Sequence, residues 1–504
     1  MKGTMNAMSP DPGRPLSQRL RRMLALAPDA PGLVFEERTY PWAYHLEAVE
    51  DLENAIGESG AHRVGIVLRN RPAHHAALIA VLATGREAVT LSPFHGDIAL
   101  AEDITALRPQ VVIAAPEDWD RDGVAKAAAD VRAIAVRTGD GRALRPHPAD
   151  WHAEPCAHAP SDVAVRMLTS GTTGRPKRIE LGYDALTAAF DAAGHGAAMT
   201  DPQELKPGTA ILWAPLMHIS GLYFAVGNVL EGKATALLER FDVTRWSELV
   251  RVHRPKLVSL QPTAMRMVLD AEVPREVFDG VRAVLSGTAP LDPADAERFE
   301  ARYGVPVLAT YGATEFAGAV AGWSLRLRRE WGDTKRGSVG RAHNGVELRV
   351  VDPGTRDPLP PGEIGVLEAR GGQLPAASDA WTATTDLASI DADGFLFIHG
   401  RTDDAINRGG FKIVPSVLED ALKDHPAVRD ACVVGLPDAR LGEVPVAAVT
   451  VGEAVGEAAL RTFLEERLAR YQLPADIRVV AALPRTPSLK ASRPEVRALF
   501  EDGV

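Results

Sequence analysis

The chain has 504 residues and a mass of 53.9 kDa, too long for one compact core, so two or more domains are expected. Its composition, 46% hydrophobic and 24% charged, is that of a globular protein, and a formal net charge of -11 argues against the basic surface that broad nucleic-acid binding requires. Two cysteines, Cys156 and Cys432, cannot build a disulfide framework; they read as small core residues in a reducing compartment.

No apolar stretch follows Lys2, so a signal peptide is not expected. No run approaches the ~18 uncharged apolar residues of a membrane span, and a cytoplasmic location without integral membrane association is the expectation. From residue 63 to about 310, short apolar runs alternate with longer helical patterns. RVGIVL, AVTLS, QVVIAA, VAVRML, AILWAP, KLVSL, VRAVLS and PVLAT are strand candidates. Between them, AHHAALIAVLA and DPADAERFEARY carry apolar spacing suited to helices packed on a sheet. His74 and His75 in the first of these read as a partly exposed helical face. Such alternation predicts parallel sheets with helices on their faces, more than one in number.

The texture changes at about 336. RGSVGRA, VELRVVD, GEIGVLEAR and DGFLFIHGR are short strands separated by Gly, Pro and Asp turns, with DADG (391–394) a hairpin turn, which predicts a small antiparallel barrel or sheet. After GRTDD (400–404) the pattern becomes α+β: a helix near 415–424, strands at 430–434 and 444–450, and a helix at 457–470. This last block, about 100 residues, is long enough to fold as a separate lid-like domain.

Four stretches carry chemistry. LTSGTTGRPK (168–177) follows an apolar strand and supplies close-approach glycines, hydroxyl donors and the mobile charge of Lys177, as a phosphate cradle needs. It is no Walker loop, because Pro176 stands where that loop has glycine. LATYGATEFAG (308–318) places Glu315 just past a parallel strand's carboxyl end, where α/β proteins bind ligands and where a carboxylate can hold Mg²⁺ beside phosphates. ATTDLASIDADGFLFIHGRTDD (383–404) offers Asp386 and Arg401, and aspartate is a familiar acceptor for ribose hydroxyls. LPRTPSLKASR (483–493) holds Lys490. The chain has 10 lysines against 46 arginines, so a lysine inside a motif carries weight.

In this order and spacing the blocks resemble the adenylate-forming superfamily of acyl-CoA synthetases, nonribosomal adenylation domains and firefly luciferase, from roughly residue 30 to 500. TSGTTGRPK matches the family's phosphate loop in full; YGATE and GRTDDAINRGGFKI are close matches. The resemblance implies an α/β fold: a large N-terminal domain (1–402) of two α/β-layered sheets plus a small β-barrel, then a smaller mobile α+β C-terminal domain (403–504). It assigns phosphate contact to Thr169, Ser170, Gly171, Thr172, Thr173, Gly174 and Lys177. Gly287, Thr288 and Ala289 of SGTAP would line the adenine, with Tyr311 and Gly312 flanking the base. Thr314 would touch the α-phosphate, Glu315 hold Mg²⁺, and Asp386 and Arg401 contact the ribose. Asp403 falls at the hinge, Lys490 enters the site during adenylation, and His218 stands at the junction of acyl and nucleotide pockets. Two departures stand out: Thr385 and Leu489 replace glycines of the family's TGD and SGK.

The implied reaction is carboxylic acid–CoA ligation, with ATP, Mg²⁺ and coenzyme A: acyl-adenylate and pyrophosphate form first, and a thiol then displaces AMP. Amino-acid-activating relatives place an aspartate directly after the junction residue. Here that residue is Ile219, and with Gly221, Leu222, Phe316 and Ala317 it makes an apolar acyl pocket. A hydrophobic acid is expected: aryl, fatty or bulky polycyclic. No carrier domain follows in this sequence, so the thiol is expected in trans, from CoA or from a separate carrier protein. The reading from another class is a catalytically silent nucleotide-binding relative. The oligomeric state stays open, homodimer included.

Overall fold

A computed structural model of the chain describes residues 14–139, 141–148, 161–169, 177–195, 204–374, 380–402, 404–408 and 411–501. Its principal sheet has seven strands, in the order Leu144–Pro146, Ile134–Thr138, Val111–Ala114, Arg63–Val67, Glu87–Leu91, Val163–Thr169 and Lys177–Gly182. The inner five run parallel, and each edge strand pairs antiparallel with its neighbour. Runs such as VVIA are apolar at every position because both faces of a parallel sheet are covered by helices. One such cover, helix Pro72–Ala83, is buried along its whole length, so His74 and His75 lie in the core and not on a partly exposed face.

A second parallel set comprises Leu257–Ser259, Ala283–Ser286 and Val307–Ala313. It continues antiparallel through Gly318–Gly322 and Arg341–Ala342. A four-stranded sheet built from Thr209–Leu212, Ala234–Leu237, Pro31–Phe35 and Arg38–Pro41 joins its flank, where the Trp213 indole donates to the Ser259 carbonyl at 2.8 Å. The expected small antiparallel element is a meander of Val346–Val351, Gly365–Gly371, Thr382–Ile390 and Leu396–Arg401. Residues 391–394 make the tight turn between its last two strands, with Gly394 at φ +81.

Beyond Arg401 the chain forms a separate layered unit. Strands Ile406–Arg408, Phe411–Ile413, Val428–Asp438 and Gly442–Val451 pair antiparallel, and Asp476–Val479 adds in parallel. Period-2 alternation divides the long strand: Ala431 and Val433 join a core with Leu418, Leu422, Leu460 and Leu464, whereas Cys432 and Val434 pack with Val496 and Phe500. Helices therefore cover both faces of this small sheet. Its second helix, Glu457–Glu465, is shorter than the predicted 457–470.

Candidate active site

The antiparallel pairing of Val163–Thr169 with Lys177–Gly182 sets Thr169 opposite Lys177 at the edge of the principal sheet. Ser170, Gly171, Thr172, Thr173 and Gly174 lie outside the described residues.

In the second parallel set, Gly287, Thr288 and Ala289 leave the carboxyl end of Ala283–Ser286, beside the end of Val307–Ala313. A Cβ on Gly287 would stand 2.5 Å from Thr310 Oγ1, so the loop's close approach demands glycine. Thr288 takes a left-handed φ of +69. On the neighbouring strand, any side chain at Gly312 would collide with the Gly318 carbonyl. That contact lets the chain fold back at once, through a single 3-10 turn, Thr314–Phe316, which carries Thr314 and Glu315, both half-buried. Gln373 donates to the Phe316 and Ala319 carbonyls at 2.8 and 3.1 Å and clasps this turn from beneath.

The Tyr311 hydroxyl donates to the Asp386 carboxylate. Burial, then the charge of Asp386, pushes the phenol upward, so it stays a donor. Asp386 pairs across the meander with Arg401, and its amide donates to Thr384 Oγ1 at 3.0 Å. Arg401 Nε lies 3.9 Å from Asp386 Oδ1 and 3.1 Å from Thr385 Oγ1, and its Nη2 donates to the same hydroxyl at 2.6 Å.

His218 immediately precedes helix Ile219–Leu230. Its Nε2 is buried without a hydrogen-bond partner, and burial, then the Lys490 ammonium, pushes the ring down to about 4. The imidazole is therefore neutral near pH 7. Ile219 is half-buried beside it, and Gly221 sits so close to the Pro215 carbonyl that no side chain fits. Leu222 and Ala317 are part of the principal core, whereas Phe316 belongs to a smaller cluster with Val320 and Val346. Tyr223 has its ring 3.1 Å from where a Gly318 Cβ would be and stacked on Phe190 at 4.7 Å.

Lys490 reaches these groups from the C-terminal unit. It feels Arg401, Asp386 and Glu315, and acts in turn on His218, which places its ammonium in their cleft. Crowding by protein atoms, then Arg401, lowers its pKa, and the two carboxylates oppose that shift. The residue's own surface is nonetheless exposed, and this solvent access limits the effect. Leu489 presents it from a left-handed turn at φ +62, the conformation that the family's glycine would adopt freely. The leucine packs against the second core, while its carbonyl accepts from Thr263 Oγ1 and Arg485 at 3.0 Å each. Arg485 also donates to Thr263 Oγ1 at 2.8 Å and to Asp430 at 2.6 Å, and Asp430 meets Arg266 at 3.1 Å.

The structure thus brings Tyr311, Glu315, Asp386, Arg401, His218 and Lys490 to one cleft; Asp403 lies outside the described residues. Sequence reasoning missed Gln373 and Tyr223. The glutamine stands alone between Gly372 and Leu374, and the tyrosine lies within an apolar helix, so neither belongs to a motif.

Layered α/β sheets, an antiparallel meander and a smaller C-terminal unit are the architecture of the adenylate-forming superfamily. A family described as AMP-binding enzyme matches residues 20–375, and its C-terminal domain matches residues 417–490. The chain belongs to this family, within the adenylate-forming superfamily, and is an AMP-forming acid–thiol ligase. It is 30% identical over 501 residues to the 2-succinylbenzoate–CoA ligase of Bacillus velezensis, covering 94% of this chain and 96% of that one. Among solved structures it resembles ATP-bound MatB from Rhodopseudomonas palustris, at 26% identity and a TM-score of 0.81 over 96% of this chain and 99% of that one; against apo MatB the TM-score is 0.69. It also resembles the o-succinylbenzoate CoA synthetase of Bacillus subtilis in complex with its acyl-adenylate intermediate, at 25% identity and a TM-score of 0.76, covering 95% and 98%. Among the described residues, no helix is long and apolar enough to cross a membrane.

Proposed function

We propose that the protein is an ATP-dependent carboxylic acid–CoA ligase acting on a hydrophobic acid without an α-amino group. The observation that carries this reading is the entry of Lys490, from the C-terminal unit, into a cleft formed by Asp386, Arg401, Glu315 and His218. A carboxylate is a poor acyl donor until its oxygen attacks the α-phosphate and pyrophosphate departs. That step gathers negative charge, so positioning and electrostatic stabilisation are the main demands on the site. Lys490 offsets charge where carboxylate and α-phosphate meet, and Thr314 donates to the phosphate. Asp386 accepts from the ribose hydroxyls, while Gly287, Thr288, Ala289 and Tyr311 frame the base.

Among the described residues Glu315 has no hydrogen bond or ion pair from a side chain, and no cluster of three or more acidic, His or Cys ligands is found. A single carboxylate with phosphate oxygens fits Mg²⁺, which would supply charge neutralisation there. In the second half-reaction the thiol of CoA attacks the acyl carbon, forming the C–S bond as AMP leaves. Lys490 withdraws for this step as the C-terminal unit turns about Asp403. The closer likeness to ATP-bound than to apo MatB supports an adenylation arrangement for the present structure.

Ile219 beside neutral His218 leaves a substrate ammonium without a counter-ion, and a buried unpaired ammonium costs at least several kcal/mol. The test is ATP–pyrophosphate exchange across a panel of carboxylic acids, followed by mass analysis with CoA. Apolar acids are expected to support exchange and give acyl-CoA. Exchange confined to free amino acids would overturn the proposal.

A further inference from the structure

We infer that Asn70 is a positioning residue for the acid, fixing the turn that delivers His218 and Ile219 to the acyl pocket; this rests on the hydrophobic-acid reading above. Asn70 is buried between strand Arg63–Val67 and helix Pro72–Ala83. Its Oδ1 accepts from the Leu216 amide at 2.8 Å. Its Nδ2 faces three carbonyls, Ala214 at 3.0 Å and Trp213 and Leu238 at 3.2 Å each. Trp213 and Ala214 directly follow strand Thr209–Leu212, and Leu238 directly follows its parallel neighbour, Ala234–Leu237. One amide side chain therefore joins the principal sheet to the ends of two strands of the four-stranded sheet, and to the turn that leads into His218.

The turn needs such a partner. Trp213, Ala214, Leu216 and Met217 are all buried, and backbone groups withdrawn from water must be paired within the protein. The His218 amide closes the turn on the Pro215 carbonyl at 2.9 Å. Gly221 packs directly on it: a Cβ there would stand 2.1 Å from the Pro215 carbonyl oxygen and 2.7 Å from that of Ala214. The Ala214 carbonyl is thus bonded to Asn70 and in contact with Gly221 at once, which leaves the turn little room to shift. Asn70 is braced in turn by its neighbours in sequence. Arg69 donates to the buried Asp118 at 2.9 and 2.7 Å, and Arg71 donates at 2.8 Å to Glu239, the residue after Leu238.

The consequence is selective for the acid. His218 and Ile219 follow this turn, whereas Tyr311, Asp386 and Arg401, assigned above to the nucleotide, lie on other elements. ATP–pyrophosphate exchange by the full chain reads the difference, with benzoate, cinnamate, octanoate and decanoate as probes and the acid that serves wild type best carried forward. Asn70→Ala should raise KM for that acid about tenfold, the scale of a lost buried hydrogen bond, and leave KM for ATP within about twofold of wild type. Asn70→Asp is the second variant: it keeps the side chain's size and the acceptor for Leu216 but sets oxygen against the three carbonyls, and it should raise the acid KM in the same way. A purely structural role gives another pattern, because an unfolded fraction lowers kcat and leaves both KM values unchanged. If both variants lose kcat alone, or if KM for ATP rises as far as KM for the acid, the inference fails while the reading of the substrate stands. If wild type exchanges with none of the four acids, that reading fails and the inference with it.

Discussion

Substitution of His74 by leucine tests whether the core of the N-terminal region is tied to pH as its burial implies. Both ring nitrogens of His74 are buried without a hydrogen-bond partner, and burial, then Arg71 and Arg69, pushes its pKa down to about 3. On the same helix His75 is pushed down to about 4 by burial; its Nδ1 lies 3.0 Å from His45 Nε2, and His45 is lowered as well. The sign follows from proton uptake. A histidine whose folded pKa lies below its unfolded value of about 6.5 binds its proton more readily in the unfolded chain, so its contribution is fully present above that pH. The contribution is lost as pH falls towards the folded value. For His74, moving from pH 7.5 to pH 5 spans about 1.5 of these pH units, or about 2 kcal/mol. The leucine variant should therefore lose about 2 kcal/mol less than wild type over that interval. At pH 7.5 it should match or exceed wild-type stability, since two unsatisfied nitrogens have been replaced by hydrocarbon. Urea unfolding followed by tryptophan fluorescence is the assay; Trp42, with its ring 5.7 Å from that of His45, is a local reporter. Parallel losses in wild type and variant between pH 7.5 and 5 would refute the reasoning.

Two further outcomes bear on the site. Lys490→Ala should lower adenylation by about 10²–10³, the typical loss for one removed electrostatic stabiliser, yet still convert pre-formed acyl-adenylate and CoA to thioester; paired single-turnover assays separate the steps, and undiminished adenylation would make Lys490 a surface lysine. Gly312→Ala forces a methyl group into the Gly318 carbonyl and should displace Thr314 and Glu315, cutting pyrophosphate exchange at least tenfold; unchanged exchange in the folded variant would show that the close approach is dispensable.

The parallel strands were legible because a strand buried on both faces is predominantly apolar, as in VVIA and AVLS. Strand Thr382–Ile390 was not, although it carries Asp386: TATTDLASI has no apolar run, and it owes its strand state to partners on both sides. Edge strands such as Leu144–Pro146 are too short to give a pattern. The histidines of Pro72–Ala83 misled because a wholly buried helix has no polar face against which to judge them. Motif spacing and lysine scarcity singled out the site's residues, Lys490 among them, and the resemblance alone supplied its role. The accommodation of Leu489 was not readable, because a left-handed turn seated against a distant core is a tertiary property.

The contact between the C-terminal unit and helix Pro262–Asp270 has a property that matters for any enzyme that must part these surfaces repeatedly. Arg485 and Asp430 both belong to the C-terminal unit and would leave together as a ready-made pair. Arg266, left behind, retains Asp295 at 3.6 Å on its own side. Withdrawal therefore strands no naked ion, and the largest electrostatic penalty of separation does not arise. What must be undone there includes the seat of one leucine, two hydrogen bonds at Thr263 and the 3.1 Å pair of Arg266 with Asp430. For the domain motion proposed above, such a joint would hold Lys490 near Asp386 and Glu315 and part without leaving an unpaired ion.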